Sequence, residues 1–355
     1  MRHEQPPSSL DERSRNVLKA VIEEYVRAGR PVGSRRLSRI YREKLSPATL
    51  RTVMADLEEA GFLTQPHTSA GRIPTQEGYR RYVRSLLRTK GLPADQLGQI
   101  RQCLEEETDP QELMNKTSRL LSTYSNNIGI VLPPPLSRAI LRHIEFVRIA
   151  ERRILVILVS RSGLVQRRFV RLDEDFTQTE LDQAGRFLVE HFSGHSLPEI
   201  RSELIRMMSR ERALYDRLLK TAILVGSATL SASDEEQADE TQVYLGGTAR
   251  VLRSLEAADM DRLIALVQTF EERNRLVKII SECLRETSHG PSVTIGLENH
   301  IPGMRDWTLI TSSYRCDGQP SGTLSILGPS RMEYDRAISL VDYVARLFGR
   351  IMGNN

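Results

Sequence analysis

Residues 46–75 read SPATLRTVMADLEEAGFLTQPHTSAGRIPT, and this stretch decides the fold of the first quarter of the chain. Ser46-Pro47 is a helix start, because the serine hydroxyl caps orphan N–H groups and proline suits the first helical turn. From Pro47 to about Ala60 the apolar residues Leu50, Val53, Met54 and Leu57 recur at helical spacing, and Gly61 stops the helix. Phe62-Leu63-Thr64 begins a strand, His67 to Gly71 is a small-polar turn, and Arg72-Ile73 returns. Upstream, Asp11 to Ala28 carries one apolar stripe (Val17, Leu18, Val21, Ile22, Tyr25, Val26), with Gly29 just past its end. Pro31-Val32-Gly33-Ser34 opens a short second helix whose apolar face is Leu37, Ile40 and Tyr41. Pro74-Thr75 begins a fourth helix through Tyr79, Tyr82, Val83 and Leu86. Three short helices followed by a hairpin describe a winged helix-turn-helix over residues 1–90, with the third helix as reader.

The face of that helix opposite its apolar stripe is Ala48, Arg51, Thr52, Ala55 and Glu59. Small residues there let a helix sink into a major groove. Arg51 reaches a guanine edge or a phosphate, and Thr52 a base edge or a thymine methyl. Free N–H groups at Ser46 to Thr49 suit a phosphate oxygen. The hairpin tip, with His67, Thr68, Ser69 and Arg72, suits the sugar-phosphate backbone. Charge agrees: residues 1–90 hold 18 Lys and Arg against 10 Asp and Glu, a balance of +8, while the remainder holds 32 against 36, a balance of −4. A positive excess confined to one end fits a polyanion-binding module; a merely basic, solvated surface is the plainer alternative on charge alone.

Gln65-Pro-His-Thr-Ser-Ala-Gly-Arg-Ile-Pro-Thr75 is a long and unusual segment. With Pro31-Val32-Gly33-Ser34, Ala55-Asp56-Leu57-Glu58, Gly78-Tyr79-Arg80 and Tyr82-Val83 it resembles the family of heat-inducible transcription repressors called HrcA. Gly328-Pro-Ser-Arg-Met332, Tyr334 and Leu340-Val-Asp-Tyr-Val344 extend the resemblance to the far end. One departure stands in the reader: the family's usual Ser-Ser-Ala-Thr-Ile-Arg-Asn is here Ser46-Pro47-Ala48-Thr49-Leu50-Arg51-Thr52, so Thr52 replaces an Asn, a residue type able to pair with adenine. The resemblance implies a homodimer that binds double-stranded operator DNA, an inverted repeat of the CIRCE type, and silences chaperone operons. It implies further that a GroEL-type chaperonin keeps the repressor active.

Past residue 90, helical stretches (Asp95 to Glu107, Gln111 to Tyr124) lead to a strand at Ile128 to Leu132. Ile140 to Ala150, Ile154 to Val159 and Leu164 to Val170 read as an antiparallel meander. Strand signals return only at Ser292 to Leu297, Trp307 to Tyr314 and Gly322 to Leu327, before a last helix from Met332 to Phe348. Two half-sheets around a helical block predict a multidomain α+β protein. Its divisions are 1–90, 91–174, an inserted and mostly helical 175–286, and 287–355. The resemblance implies that 91–174 and 287–355 form one GAF-like domain and that the insertion dimerises. Apolar stripes run through the insertion (Ile200 to Leu218, Met260 to Phe270, Leu276 to Leu284), and Ser231 to Gln242 reads as an acidic loop. Each stripe is either core or a subunit interface.

The residues offer little else. The longest apolar run, Ile154 to Val159, is far too short to span a membrane, and the first residues lack a secretory pattern, so the chain reads as cytoplasmic. Cys103, Cys283 and Cys316 are odd in number and far apart, which argues against a disulfide framework or a cysteine zinc site. No nucleophile elbow, phosphate loop, dinucleotide fingerprint or zinc-protease motif occurs, so no enzyme, cofactor or metal is expected. His191 and His195 read as surface histidines around a helix-ending Gly194, and Gly246-Gly247-Thr248 as a turn after a strand. A ligand-sensing winged-helix regulator, with its effector in the GAF-like domain, is the competing reading.

Overall fold

The computed structural model describes residues 10–41, 45–67, 70–86, 91–135, 139–210, 221–222, 224–226, 242–254, 260–285, 290–316 and 319–354. The chain begins with three helices: α1 (Glu12–Ala28), α2 (Ser34–Ile40) and α3 (Pro47–Glu59). The capping residues do what their chemistry dictates. Asp11 accepts the Ser14 N–H at 2.8 Å, Ser46 accepts that of Thr49 at 3.1 Å, and Gly29 closes α1 at φ 69°. Val17, Val21, Ile22, Leu37, Leu50, Met54 and Leu57 form the buried centre between these helices. Ile40 departs from expectation. It is exposed, and Tyr41 fills the place at the end of α2.

A two-stranded ribbon follows, β1 (Leu63–Thr64) and β2 (Ile73–Pro74), with Leu63 opposite Pro74. The fourth helix, α4 (Gln76–Leu86), starts two residues later than expected. Pro74 is still strand, and the Thr75 hydroxyl accepts the Gly78 N–H at 3.1 Å as a cap. Two helices come next, α5 (Ala94–Glu105) and α6 (Pro110–Ser125).

The remaining strands are β3 (Ile128–Leu132), β4 (Leu141–Ala150), β5 (Arg153–Ser160), β6 (Val165–Arg171), β7 (Tyr244–Gly246), β8 (Ser292–Ile295), β9 (Trp307–Cys316) and β10 (Gln319–Pro329). Their pairing corrects the expectation of one shared sheet. β7-β3-β10-β9-β8 form a five-stranded antiparallel sheet, and β4-β5-β6 form a separate three-stranded one. The meander packs on α7 (Gln178–Phe192) and α8 (Leu197–Arg210) in a core of its own, including Phe146, Val156, Leu181 and Leu188. The expected junction between residues 174 and 175 therefore falls inside one packed unit. That unit is half sheet rather than mostly helical.

The helical stripes after residue 247 also find another home. They lie on α9 (Thr248–Ser254), α10 (Met260–Glu271) and α11 (Arg273–Arg285). Leu266, Leu276, Ile279, Ile280 and Cys283 join Ile128, Ile130, Leu309 and Leu327 on one face of the five-stranded sheet. Val131, Ile310 and Ile326 point to the other face, against α5, α6 and α12 (Tyr334–Asn354). Alternation at period two thus buries both faces. Leu214, Leu218 and residues 231–241 lie outside the described residues.

Candidate nucleic-acid interface

α3 presents the expected face. Ser46, Ala48, Arg51 and Thr52 are exposed and Thr49 partly so, while Leu50, Val53, Met54 and Leu57 are buried beneath them. Proline at 47 has no N–H, and Ser46 occupies that of Thr49, so the N–H of Ala48 is the orphan donor of this turn. The expected cluster of free N–H groups is thereby reduced to those of Ser46 and Ala48. The Ser46 and Thr49 hydroxyls lie 2.9 Å apart. Thr52 donates its hydroxyl hydrogen to the Ala48 carbonyl at 3.3 Å, which leaves its methyl and its oxygen lone pairs outward. Arg51 has no ion-pair partner among the described residues, so its guanidinium is uncommitted.

Arg72 is different. Its Nε donates to Glu58 on α3 at 2.8 Å, and its side chain is only 16% exposed. Its backbone N–H and carbonyl both pair with Val32, at 2.9 Å each. Arg72, the residue expected on the DNA backbone, here ties the ribbon to the third helix and to the α1–α2 connection. Gly71 makes the same joint possible. A Cβ there would stand 2.4 Å from the Val32 carbonyl carbon, so only glycine lets the two backbones meet. His67 is exposed near the tip; Thr68 and Ser69 lie outside the described residues.

Two features escaped the sequence reading. Glu24 is 2% exposed and accepts hydrogen bonds from Arg27 and Arg36, which fixes α2 against α1. Burial raises its pKa, but the two guanidiniums prevail and hold it below the ordinary carboxylate range. Its only sequence signal was an acid at the boundary of the apolar stripe. The second feature is a seam between this head and the far end of the chain. The Tyr334 ring lies 5.6 Å from that of Tyr79 and 6.4 Å from that of Tyr82. Gln76 donates to the Arg305 carbonyl at 2.9 Å and Arg80 to that of Ile295 at 3.1 Å. Burial pushes the phenols of Tyr79, Tyr82 and Tyr334 up.

Other candidate chemistry resolves into structure. His191 stacks on Phe187 with ring centroids 4.3 Å apart, and His195 lies beyond the helix, which ends at Phe192 before Gly194 takes a positive φ. Gly246 ends β7 and packs on the α6 backbone at Ser118. Among the described residues no helix is long and apolar enough to cross a membrane.

The model of the HrcA protein C terminal domain matches residues 111–338. The chain is 40% identical over 346 residues to the heat-inducible transcription repressor HrcA of Geobacter sulfurreducens, a match covering 97% of this chain and 99% of that one. It is 36% identical over 346 residues to the HrcA of Syntrophobacter fumaroxidans, covering 97% and 98%. A crystal structure of a hypothetical protein shares the fold at TM-score 0.61 and 20% identity, covering 98% of this chain and 99% of that one. Identity at this level along the whole length, with a family model spanning more than half of the chain, shows that the protein belongs to the HrcA family of heat-inducible transcription repressors.

Proposed function

We propose that the protein represses chaperone operons by seating α3 in the major groove of an inverted-repeat operator of the CIRCE type, one half-site per subunit of a homodimer. The observation that carries this reading is the exposed, uncommitted Arg51 beside Thr52 on a helix whose other face is fully buried. Helices α1–α3 with the β1–β2 ribbon act as a winged helix-turn-helix. Arg51 addresses a base edge and Thr52 offers its methyl to a thymine or its oxygen to a donor. Ser46, Ala48 and Thr49 sit at the helix N-terminus, where a phosphate is favoured by orphan N–H groups and the helix dipole. Ala48 keeps the approach close. His67, Thr68 and Ser69 of the wing lie along the sugar-phosphate backbone, while Arg72 braces the wing from behind.

The five-stranded sheet with its helices is the GAF-like domain in this reading, and the meander with α7 and α8 is the inserted dimerisation unit. Strand register supports the meander's outer face as the contact: Val147 lies opposite Leu155, Leu155 opposite Phe169, and Val159 opposite Val165. Phe169 is 57% exposed and Ile149 50%, unusual for large apolar groups. A dimer gains operator affinity because binding of one head raises the effective concentration of the other. A GroEL-type chaperonin would then set the folded, DNA-competent fraction. The test is a footprint on chaperone-operon promoter DNA. Two protected half-sites about one helical turn apart support the reading; protection no better than on random duplex refutes it.

A further inference from the structure

The head carries a second basic feature that the operator reading does not use. Between α1 and α4 lies a cleft of about 210 Å³ lined by Arg15, Leu18, Lys19, Arg81, Tyr82, Arg84 and Ser85. Arg15 and Lys19 are one turn apart on α1, and Arg81 and Arg84 one turn apart on α4. Like charges at such spacing repel along each helix, and here two such pairs face one hollow. Lys19 has Glu23 at 3.8 Å, one turn further along α1. Arg15, Arg81 and Arg84 have no ion-pair partner among the described residues. The floor is Leu18 and the Tyr82 ring, both buried. Ser85 donates its hydroxyl hydrogen to the Tyr82 carbonyl at 2.6 Å. The donors available to a ligand are therefore the guanidiniums, since the Lys19 ammonium is shared with Glu23, whose carboxylate also bonds the Tyr82 phenol.

We propose that this cleft binds a condensed phosphate group, a di- or triphosphate, free or carried on a nucleotide. An apolar hollow rimmed by Arg15, Lys19, Arg81 and Arg84 suits a compact, multiply charged anion with several oxygens, which guanidiniums grip bidentately. Duplex DNA is the weaker fit. On α1, Arg15, Leu18 and Lys19 occupy a face well rotated from Val17, Val21 and Glu24, and Glu24 holds α2 through Arg36. All of the residues that line the cleft belong to α1 and α4 and none to α2 or α3, which carries Arg51. The apolar floor also gives a nucleotide's base or sugar somewhere to rest.

The test is calorimetric titration of the full chain with sodium tripolyphosphate, ATP and orthophosphate, in wild type and two variants. The first variant combines Arg15→Ser with Arg84→Ser; the second is Ser85→Asp, which sets a carboxylate among the cations. One equivalent of tripolyphosphate should bind per chain, and orthophosphate far more weakly. Each charge-assisted contact removed should cost about tenfold, so the double variant loses about a hundredfold. Ser85→Asp should lose at least about tenfold by the same measure while its melting curve stays that of the wild type. ATP binding more tightly than tripolyphosphate identifies a nucleotide; equal affinity identifies the phosphate chain alone. Operator affinity should not change in the double variant. Absence of saturable tripolyphosphate binding, or binding that both variants retain, overturns the proposal. So does displacement of tripolyphosphate by operator DNA with a matching loss of operator affinity in the double variant, which would make the cleft a DNA contact.

Discussion

The third helix and the β1–β2 ribbon each bring one arginine to the same side of the head, and the two are put to opposite uses. Arg51 stands on an exposed face with no ion-pair partner among the described residues. Arg72 is held by Glu58 and by the backbone of Val32, with its side chain largely covered. Both belong to the same excess of positive charge, and the difference lies in whether a carboxylate stands within reach. Of the 18 Lys and Arg over residues 1–90, Arg27, Arg36 and Arg72 are therefore already committed to Glu24 and Glu58. One arginine is left exposed on the helix and the other ties the helix to the ribbon.

This contrast can be broken in several places. The largest effect is expected at the brace itself. Gly71→Ala drives a Cβ into the Val32 backbone and should cost about 3 kcal/mol, read as a lower melting temperature of the head and a loss of operator-competent protein. An unchanged melting curve would mean that ribbon and helices are not coupled here. Next, Arg51→Ala should cost about 2 kcal/mol on the operator and relax specificity at one base pair, with little change on random duplex. Equal losses on both DNAs would demote Arg51 to a phosphate contact.

Arg72→Met should cost about 1 kcal/mol of stability, since a partly covered ion pair is lost while the packing of the stem is kept. The slope of operator affinity against salt concentration should stay the same. A slope flatter by about one unit would show that Arg72 leaves Glu58 for a phosphate once DNA is bound. The smallest effect is the pH response of Glu24. Its folded pKa lies below the unfolded value, so its contribution is complete above about 4.5 and is lost as pH falls through the folded pKa. Glu24→Gln should flatten the acid side of the stability profile and cost less than about 1 kcal/mol at neutral pH, the partner arginines being exposed. An acid limb of unchanged steepness would assign the response to other carboxylates.

The head was legible because its instructions are local. Asp11, Gly29, Ser46 and Pro47 mark helix ends within a few residues of where the caps act, and the apolar stripes of α1 and α3 needed no distant partner to be read. The exposed face of α3 followed by subtraction. The brace was not legible, since Glu58 and Arg72 are 14 residues apart and nothing local shows that a helix and a ribbon will bring them together. The division into sheets failed for the same reason on a larger scale. β3 lies between β7, more than a hundred residues later, and β10, nearly two hundred later, while its sequence neighbour β4 turns to a different sheet. Alternating apolar residues identify a strand but carry no address for its partner.

The tyrosine seam has a consequence for how the protein comes into being. Tyr79 and Tyr82 emerge from the ribosome early, whereas Tyr334, which covers them, belongs to the final helix. At about 5–20 residues per second, the interval between them is roughly ten to fifty seconds. During that time the newborn head has its helices but an open aromatic flank, and nothing yet sets its orientation. Every round of synthesis thus creates a window in which sticky surface is displayed before the chain is long enough to hide it.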